Sequence, residues 1–396
     1  MSDTVPVHGT CDSRFSRVRD LFRKGFESGE QLGASVSFVL DGETVVDLWG
    51  GWQDFEHERE WERDTLVNLF STTKGMTALC AHILVERGEL DVDAPVARYW
   101  PEFAANGKEH IPVRWLLSHQ AGLVGLHAPI SAADAYRWDL MVEALAAETP
   151  WWEPGEKHGY HALTFGYLVG EVIRRVSGKS VGTFFRENVA TPLDADFHIG
   201  LAVEHDGRTS KLHGRLFAPS DAEGSGKASG VPDAVQKLMR DFRDPSTPSG
   251  AAFAMSGMDH NSRAWRAAEV PAANGHGTAR ALSRIYGALA RGGEIDGVRV
   301  LESPTIDAAI EEQVFGPDAV LGGMPMRFGL GFMLRQDFMP IAPSDRGFGH
   351  PGAGGSIGMA DPDARVGFGF TLNKMQMGLL GAAGAFQMLN AFYDQL

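Results

Sequence analysis

The pattern of apolar positions predicts a helix at each end of the chain. Near the start, apolar residues recur every three or four positions, at Phe15, Val18, Leu21, Phe22 and Phe26. Residues with this spacing share one face of a helix, so this segment is expected to pack on a core. A second helix is predicted at the end of the chain, from Gly378 to Tyr393.

Segments with strand character lie next to both terminal helices. Residues 34–40 and 44–49 are rich in β-branched and aromatic side chains, and Asp41-Gly42 between them is typical of a hairpin turn. Strand character returns late in the chain, at residues 328–334, 355–360 and 366–372. These segments predict one antiparallel sheet built from both ends of the chain.

The middle of the chain, from about Leu66 to about Ala290, has a mainly helical pattern. Helices are predicted over residues 71–87 and 162–177, each followed by a glycine. Loops rich in Ser, Pro and Gly are predicted over residues 218–230 and 244–250.

The order of these elements predicts an α/β (α+β) fold class. An antiparallel β-sheet would be flanked by the terminal helices, with a mainly helical domain inserted between its strands. Residues 1–65 and 325–396 would form the α/β sandwich domain, and residues 66–324 would form the helical domain that carries the chemistry described below.

Charge and cysteine content limit the cellular locations and the binding partners that we expect. The formal net charge of −15 disfavours nucleic acid or an anionic membrane as a partner. No segment approaches the ~20 uninterrupted apolar residues of a membrane span, and the first residues lack the pattern of a secretory signal. Two cysteines, Cys11 and Cys80, are too few for a disulfide framework. We therefore expect a cytoplasmic protein. The sequence leaves open whether the chain forms a homo-oligomer.

The sharpest chemical feature is Phe70-Ser71-Thr72-Thr73-Lys74, which opens a predicted helix. Positions three apart share a helix face, so Lys74 would lie beside the Ser71 hydroxyl. A free serine is a poor nucleophile, and a neighbouring amine together with the positive end of a helix dipole can activate it. On its own, however, this pair is more often a capping serine with a solvated lysine.

Longer segments around this pair change that interpretation. They are residues 67–79, 84–96, 99–103, 113–123, 153–160 and 348–362. In order and spacing they resemble the serine β-lactamase and penicillin-recognising superfamily, and are most similar to its class C branch and the family VIII carboxylesterases. The resemblance covers most of the chain and is weakest between about residues 200 and 270.

The resemblance implies that Tyr160 is the general acid and base of the family's second motif. A phenol becomes useful near neutral pH beside a cation, and Lys74 is the candidate. We therefore expect a protonated Lys74 to lower the pKa of Tyr160; the alternative is a neutral Lys74 that deprotonates Ser71 itself. Related β-lactamases usually carry asparagine two residues after the tyrosine, and Ala162 at this position argues against an efficient β-lactamase.

The family's third motif matches His350-Pro351-Gly352. The resemblance implies a substrate-binding role for His350 and Gly352, with the glycine letting substrate lie against a strand. It also implies that the backbone N–H groups of Ser71 and Ala353 form an oxyanion hole. Relatives use a lysine or threonine in this motif to help bind a carboxylate, so this variant favours an uncharged ester.

A second serine, Ser356, lies in Gly354-Gly355-Ser356-Ile357-Gly358, which formally matches the G-x-S-x-G of α/β-hydrolases. That nucleophile turn joins a strand to a helix, whereas here a predicted strand continues into Asp361-Pro362 and another strand. We therefore predict that Ser356 is not the nucleophile.

The predicted activity is that of a serine carboxylesterase with Ser71, Lys74 and Tyr160 as catalytic residues. The expected partner is a small-molecule ester with a short acyl chain. No metal-ligand or nucleotide-binding spacing occurs, so no cofactor and no metal are expected. The open alternatives are a β-lactamase or D-Ala-D-Ala peptidase, an amide hydrolase, an acyltransferase and, outside enzymes, a catalytically silent scaffold of the same fold.

Overall fold

The computed structural model describes residues 5–128, 130–214, 238, 240–254, 258–377 and 381–396. The helices with both ends described are α1 Ser16–Glu27, α2 Thr73–Glu86, α3 Val113–Leu117, α4 Ala132–Ala135, α5 Trp138–Ala147, α6 Thr164–Ser177, α7 Val181–Phe185, α8 Pro248–Ala252, α9 Arg263–Ala267, α10 Ala279–Ala290, α11 Ser303–Ile310 and α12 Ala383–Tyr393. The strands are β1 Val7–Cys11, β2 Gly33–Leu40, β3 Glu43–Gly51, β4 Val67–Asn68, β5 Phe197–His198, β6 His276–Gly277, β7 Glu294–Ile295, β8 Val298–Arg299, β9 Val314–Pro317, β10 Pro325–Phe328, β11 Met333–Leu334, β12 Phe348–Pro351, β13 Ile357–Asp361 and β14 Val366–Leu372.

Strands from both ends of the chain form one antiparallel sheet, in the order β1-β3-β2-β14-β13-β12-β11-β10-β9. The last strand, β14, pairs with β2 along its length and sets Phe368 opposite Phe38. The predicted hairpin is present as β2 and β3, joined at Asp41-Gly42. The predicted fold class is therefore confirmed. The early strand β2 pairs with the last strand, β14, so both ends of the chain contribute to one sheet.

The two faces of β14 carry different side chains and therefore accept different helices. Large apolar side chains on one face meet α1 and α12, where Phe392 stacks on Phe38 with 4.2 Å between ring centroids. Gly367 and Gly369 lie on the other face, against α10. A Cβ at Gly369 would lie 2.1 Å from the carbonyl oxygen of Ala279, so only glycine lets the helix backbone approach the strand this closely.

Helix α2 is the centre of the helical layer. It packs against α6 and α7, and its residues from Thr73 to Leu84 are all buried. A helix that is buried on every side is expected to lie in the interior of a large domain. None of the helices in the described ranges is both long enough and apolar enough to cross a lipid bilayer.

Several predicted elements differ in their bounds. The predicted strand over residues 328–334 is interrupted, because Gly329 N–H bonds to Phe332 O at 3.0 Å and forms a turn between β10 and β11. The C-terminal helix begins at Ala383 rather than Gly378. The edge strands β1 and β9 were not predicted.

The two predicted loops have different outcomes. Residues 218–230 lie outside the described residues. Within residues 244–250, helix α8 begins at Pro248, because the Thr247 side chain accepts a hydrogen bond from Gly250 N–H at 3.0 Å and caps it. The prediction of a loop there was therefore wrong for its second half.

Tyr286 in α10 buries a hydroxyl group that has no hydrogen-bond partner among the described residues. Replacing a buried unpaired hydroxyl by hydrogen removes a desolvation cost, so Tyr286→Phe should leave the free energy of unfolding unchanged or raise it by up to about 2 kcal/mol. Tyr167→Phe is the matched control: its hydroxyl donates to Ala135 O at 2.6 Å, so its loss should destabilise by about 1 kcal/mol. Denaturant unfolding of the two variants would contradict this if Tyr286→Phe were the more destabilised.

Candidate active site

Ser71 lies in a short 3-10 turn, Phe70–Thr72, between β4 and α2. It was predicted to open the α-helix, but α2 begins two residues later, at Thr73. Phe70 has a φ of 43°, a left-handed conformation that costs a non-glycine residue of order 1–3 kcal/mol. Pairing of β4 with β6 helps to hold the strained turn. The Ser71 side chain stays partly exposed, so a substrate can reach it.

Lys74 lies in the first turn of α2 and is completely buried. Its Nζ lies 3.2 Å from Ser71 Oγ, 2.7 Å from Ala162 O and 3.0 Å from Ala272 O. Burial lowers the pKa of Lys74 well below its ordinary value of 10.5. A buried amine without a partner of opposite charge is expected to be neutral.

A neutral Lys74 amine has a defined orientation in this site. The two carbonyl oxygens can only accept hydrogen bonds, so they take both N–H groups of the amine. Its lone pair is then left for the remaining neighbour, the Ser71 hydroxyl, which can donate its proton. This arrangement is that of a general base beside a nucleophile.

Tyr160 lies in the irregular segment that precedes α6, and only 5% of its surface is exposed. Its hydroxyl interacts with the Ser71 side chain, and Lys74 Nζ lies 4.7 Å from the centroid of its ring. Burial raises the pKa of Tyr160 above its ordinary value of 10.0, and the nearby Asp318 carboxyl adds to this shift. The phenol therefore keeps its proton at neutral pH.

These pKa directions argue against one prediction. We expected a protonated Lys74 that lowers the pKa of Tyr160, whereas burial favours the uncharged form of both groups. The alternative assignment fits the structure: Lys74 is neutral and can take the proton of Ser71, and Tyr160 is a phenol that can donate one. The three side chains themselves lie together, as the sequence predicted.

The third motif lies on β12 and meets the turn that carries Ser71. A Cβ at Gly352 would lie 2.2 Å from Leu69 O, so only glycine allows this contact. Ala353 is partly exposed, and its N–H has no acceptor among the described residues. Ser71 N–H lies in the first turn of a helical segment, where no intrahelical acceptor exists. Both N–H groups are therefore available to bind an oxyanion. Their role as an oxyanion hole stays a prediction.

His350 lies beneath this edge of the site. Its Nδ1 donates to Pro351 O at 2.7 Å, while Nε2 is buried and has no partner among the described residues. Its ring centroid lies 5.9 Å from that of Tyr160. Burial lowers the pKa of His350 to about 3, so the imidazole is neutral and provides no charge for a substrate carboxylate. Its predicted substrate-binding role stays a prediction.

Ser356 is near the site but is already fully bonded. Its hydroxyl donates to Leu69 O at 2.8 Å and lies 3.1 Å from the Thr72 hydroxyl. It follows the turn between β12 and β13, so it does not lie on a strand-to-helix turn. The geometry assigns Ser356 to the support of the turn that carries Ser71.

A group of buried neutral histidines surrounds Tyr160. His161 N–H donates to His119 Nδ1 at 3.1 Å, and the His161 ring accepts from Leu123 N–H and donates to Gly159 O. Burial lowers the pKa of His161 to about 3 and that of His119 well below 6.5. No pattern in the sequence indicated a role for His119 and His161, whose hydrogen bonds hold the backbone around Tyr160.

Asp318 is the other residue that the sequence did not indicate. It is completely buried, and its Oδ1 accepts hydrogen bonds from the N–H groups of Tyr160, Val320 and Leu321. Burial raises the pKa of Asp318 to about 6, although the three backbone donors favour its anion.

No group of three or more His, Cys, Asp or Glu side chains in the described ranges is arranged to hold a metal ion.

Asp318→Asn should alter how stability depends on pH. The folded-state pKa of about 6 exceeds the ordinary 3.8, so the folded protein binds this proton more tightly than the unfolded chain. This stabilisation of the folded protein is fully present below pH 3.8 and is lost as the pH rises through 6. The free energy of unfolding therefore falls by up to about 3 kcal/mol over this range. Unfolding free energies measured from pH 4 to pH 8 should therefore fall further for the wild type than for the variant. Parallel curves for the two proteins would contradict the raised pKa.

Comparison with known proteins places this geometry in a family. The Beta-lactamase family matches residues 18–391. The chain is 40% identical to the Esterase/beta-lactamase LipL of Mycobacterium tuberculosis over 377 residues, which cover 93% of this chain and 83% of that protein.

Two solved structures are similar over nearly the whole chain. A family VIII carboxylesterase is 40% identical with a TM-score of 0.87, covering 99% of this chain and 100% of the other. A penicillin-binding protein homologue from Caulobacter crescentus is 37% identical with a TM-score of 0.88, at the same coverage. The chain belongs to the Beta-lactamase family and is a serine hydrolase.

Proposed function

We propose that the protein is a serine carboxylesterase that hydrolyses short-chain esters through an acyl-enzyme on Ser71. The observation that carries the proposal is the completely buried Lys74 amine 3.2 Å from a partly exposed Ser71 hydroxyl. A silent scaffold needs neither a desolvated lysine nor a strained serine turn. Both features cost folding free energy, which an active site would explain.

Acylation begins with proton transfer from Ser71 Oγ to Lys74 Nζ as Oγ attacks the ester carbonyl carbon. The carbonyl oxygen becomes an oxyanion and is stabilised by the N–H groups of Ser71 and Ala353. The C–O bond to the alcohol then breaks, and Tyr160 donates its proton to the leaving oxygen. The proton on Lys74 passes to Tyr160, so both groups return to their neutral forms.

Deacylation repeats these steps with water in place of the alcohol. Water loses a proton to the Lys74 and Tyr160 pair as it attacks the acyl carbon, and the oxyanion forms in the same place. The bond to Ser71 Oγ then breaks, and Ser71 recovers its proton. The sum is ester plus water giving acid plus alcohol, with no other reactant.

The charge of the site supports an uncharged substrate. Burial favours the uncharged forms of Lys74 and the nearby histidines, so these described residues offer no fixed cation to bind the carboxylate of a penicillin or a peptide. Ala162 contributes its carbonyl oxygen to Lys74 and has only a methyl side chain, which cannot bind a side-chain amide of such substrates. These features favour esters over β-lactams and peptides.

Ser71→Ala should abolish hydrolysis of p-nitrophenyl butyrate and labelling by a fluorophosphonate probe, because the nucleophile is lost. Ser356→Ala is the matched control, since it removes a buried hydroxyl next to the same turn. It should lower stability by about 1–3 kcal/mol but keep labelling at Ser71, as read by peptide mapping. Labelling that survives in Ser71→Ala and disappears in Ser356→Ala would overturn the assignment.

The ratio of kcat/KM for a short-chain ester to that for a cephalosporin should be at least ~100, or about 2.7 kcal/mol of transition-state discrimination. The reason is that the described residues of the site offer no fixed cation and that position 162 carries no side-chain amide. Both activities should be lost together in Ser71→Ala, which shows that they share one site. Equal or faster turnover of the cephalosporin would exclude the esterase assignment in favour of a β-lactamase.

A further inference from the structure

Asp318 connects two parts of the chain that are far apart in sequence. It lies between β9 and β10, where its Oδ1 accepts from Val320 and Leu321 N–H, both at 2.8 Å. These two bonds are enough to close its own turn. The same oxygen also accepts from Tyr160 N–H at 3.1 Å, a contact that the turn itself does not require.

A second hydrogen bond runs parallel to this contact. Ala319 N–H donates to His158 O at 3.0 Å, two residues before Tyr160. We call these two bonds, Asp318 Oδ1 to Tyr160 N–H and Ala319 N–H to His158 O, the Asp318 clamp. Residues 156–161 have no helix or strand of their own, so bonds of this kind decide where the Tyr160 ring lies.

The opposite side of the same segment is held separately. Gly159 N–H donates to His119 O at 3.0 Å, and His161 N–H donates to the ring of the same histidine at 3.1 Å. The segment is therefore fixed between His119 on one side and the Asp318 clamp on the other. Removing either side leaves the Tyr160 hydroxyl free to move relative to Ser71.

We propose that Asp318 is a positioning residue, which aims the Tyr160 hydroxyl at the leaving-group oxygen of the substrate through the Asp318 clamp. The inference rests on the proposed function, since it assumes that an alcohol must be protonated as it leaves Ser71. A misplacement of about 1 Å in such a group can cost 10²-fold in rate.

The clamp needs a hydrogen-bond acceptor at Asp318 and does not need a charge. The titratable groups around this region include His158, Tyr160 and His161 on the clamped segment, and His119, Lys74 and His350 on the elements packed around it. Burial shifts the pKa of each toward its uncharged form. Burial therefore disfavours a cation at each of these described neighbours, so none of them is expected to neutralise a carboxylate at Asp318.

The surroundings of the second carboxylate oxygen of Asp318 also indicate that the clamp needs an acceptor and not a charge. Oδ2 lies 3.8 Å from His158 Nε2, and neither atom has a hydrogen-bond partner among the described residues. In Asp318→Asn, the amide keeps an acceptor for the backbone donors and places an N–H donor opposite His158 Nε2. The conservative variant should therefore preserve the clamp.

The test compares two esters with the same acyl group. p-Nitrophenolate leaves without a proton, whereas ethanol needs one, so the ratio of kcat/KM for p-nitrophenyl butyrate to that for ethyl butyrate reports protonation by Tyr160. Tyr160→Phe sets the maximal rise of this ratio. We expect Asp318→Ala to raise it at least ~10-fold and Asp318→Asn to stay within ~3-fold of the wild type, with active enzyme counted by fluorophosphonate titration.

Asp361→Ala is the matched control. Asp361 is also buried, and its Oδ1 accepts from Asp363 and Ala364 N–H in a similar turn. It lies at the end of β13 away from Gly352. Its substitution should lower the unfolding temperature without changing the ester ratio, so loss of stability alone is separated from loss of positioning.

Each outcome decides the proposal. An unchanged ester ratio in folded Asp318→Ala would overturn it, as would a rise in Asp318→Asn equal to that in Asp318→Ala, because then the charge and not the acceptor would matter. If Asp318→Ala does not fold, Asp318→Glu decides in the same way, since the longer side chain moves the acceptor. Failure of the proposed function is a different result: the wild type would hydrolyse neither ester.

Discussion

The burial of one lysine amine, with no carboxylate bonded to it among the described residues, is the constraint on which the site depends. A protonated Lys74 would place an uncompensated charge in the interior, which costs several kcal/mol, so burial lowers the pKa of the amine and favours its neutral form. The two carbonyl groups that receive its N–H bonds, Ala162 O and Ala272 O, come from the segments before α6 and before β6. Four parts of the chain therefore have to converge before Ser71 has a base: its own turn, the start of α2 and these two carbonyls.

The same physical rule extends to the groups around it. Burial keeps Tyr160 as a phenol and His119, His161 and His350 as neutral imidazoles, so the resting site carries little charge. During acyl transfer a negative charge develops on the carbonyl oxygen, and the backbone amides at Ser71 and Ala353 are the groups placed to receive it. In surroundings of low polarity these amides act more strongly than they would in water, because little else screens the oxyanion.

Local patterns were readable from the sequence, and long-range ones were not. The terminal helices and the β2–β3 hairpin follow from apolar spacing and turn chemistry, and Ser71 with Lys74 follows from two positions three apart. Tyr160 could be found only through the resemblance to a family. Asp318 lies 158 residues away from Tyr160 in sequence and binds its backbone, so no spacing of side chains indicates the contact.

The protonation states of Lys74 and Tyr160 could not be predicted from the sequence either. The sequence places a lysine and a tyrosine together, and a protonated Lys74 was expected because deacylation needs a base and no deacylating glutamate is recognisable. The pKa of each group depends instead on how completely the surrounding chain excludes water. That exclusion is produced by the packing of α2 against α6 and α7, a property of the folded protein that no local pattern contains.

The misleading G-x-S-x-G match has a structural origin of its own. Gly352 lets β12 touch the carbonyl of Leu69, and Ser356 donates its hydroxyl to that same carbonyl oxygen. The Thr72 hydroxyl can then donate to Ser356 Oγ, so the turn between β12 and β13 is bonded to both sides of the strained Phe70–Ser71 step. Small residues and a short hydroxyl side chain are what such a contact needs. A serine among glycines can therefore serve the nucleophile of another segment, and only the neighbours of each hydroxyl tell the two roles apart.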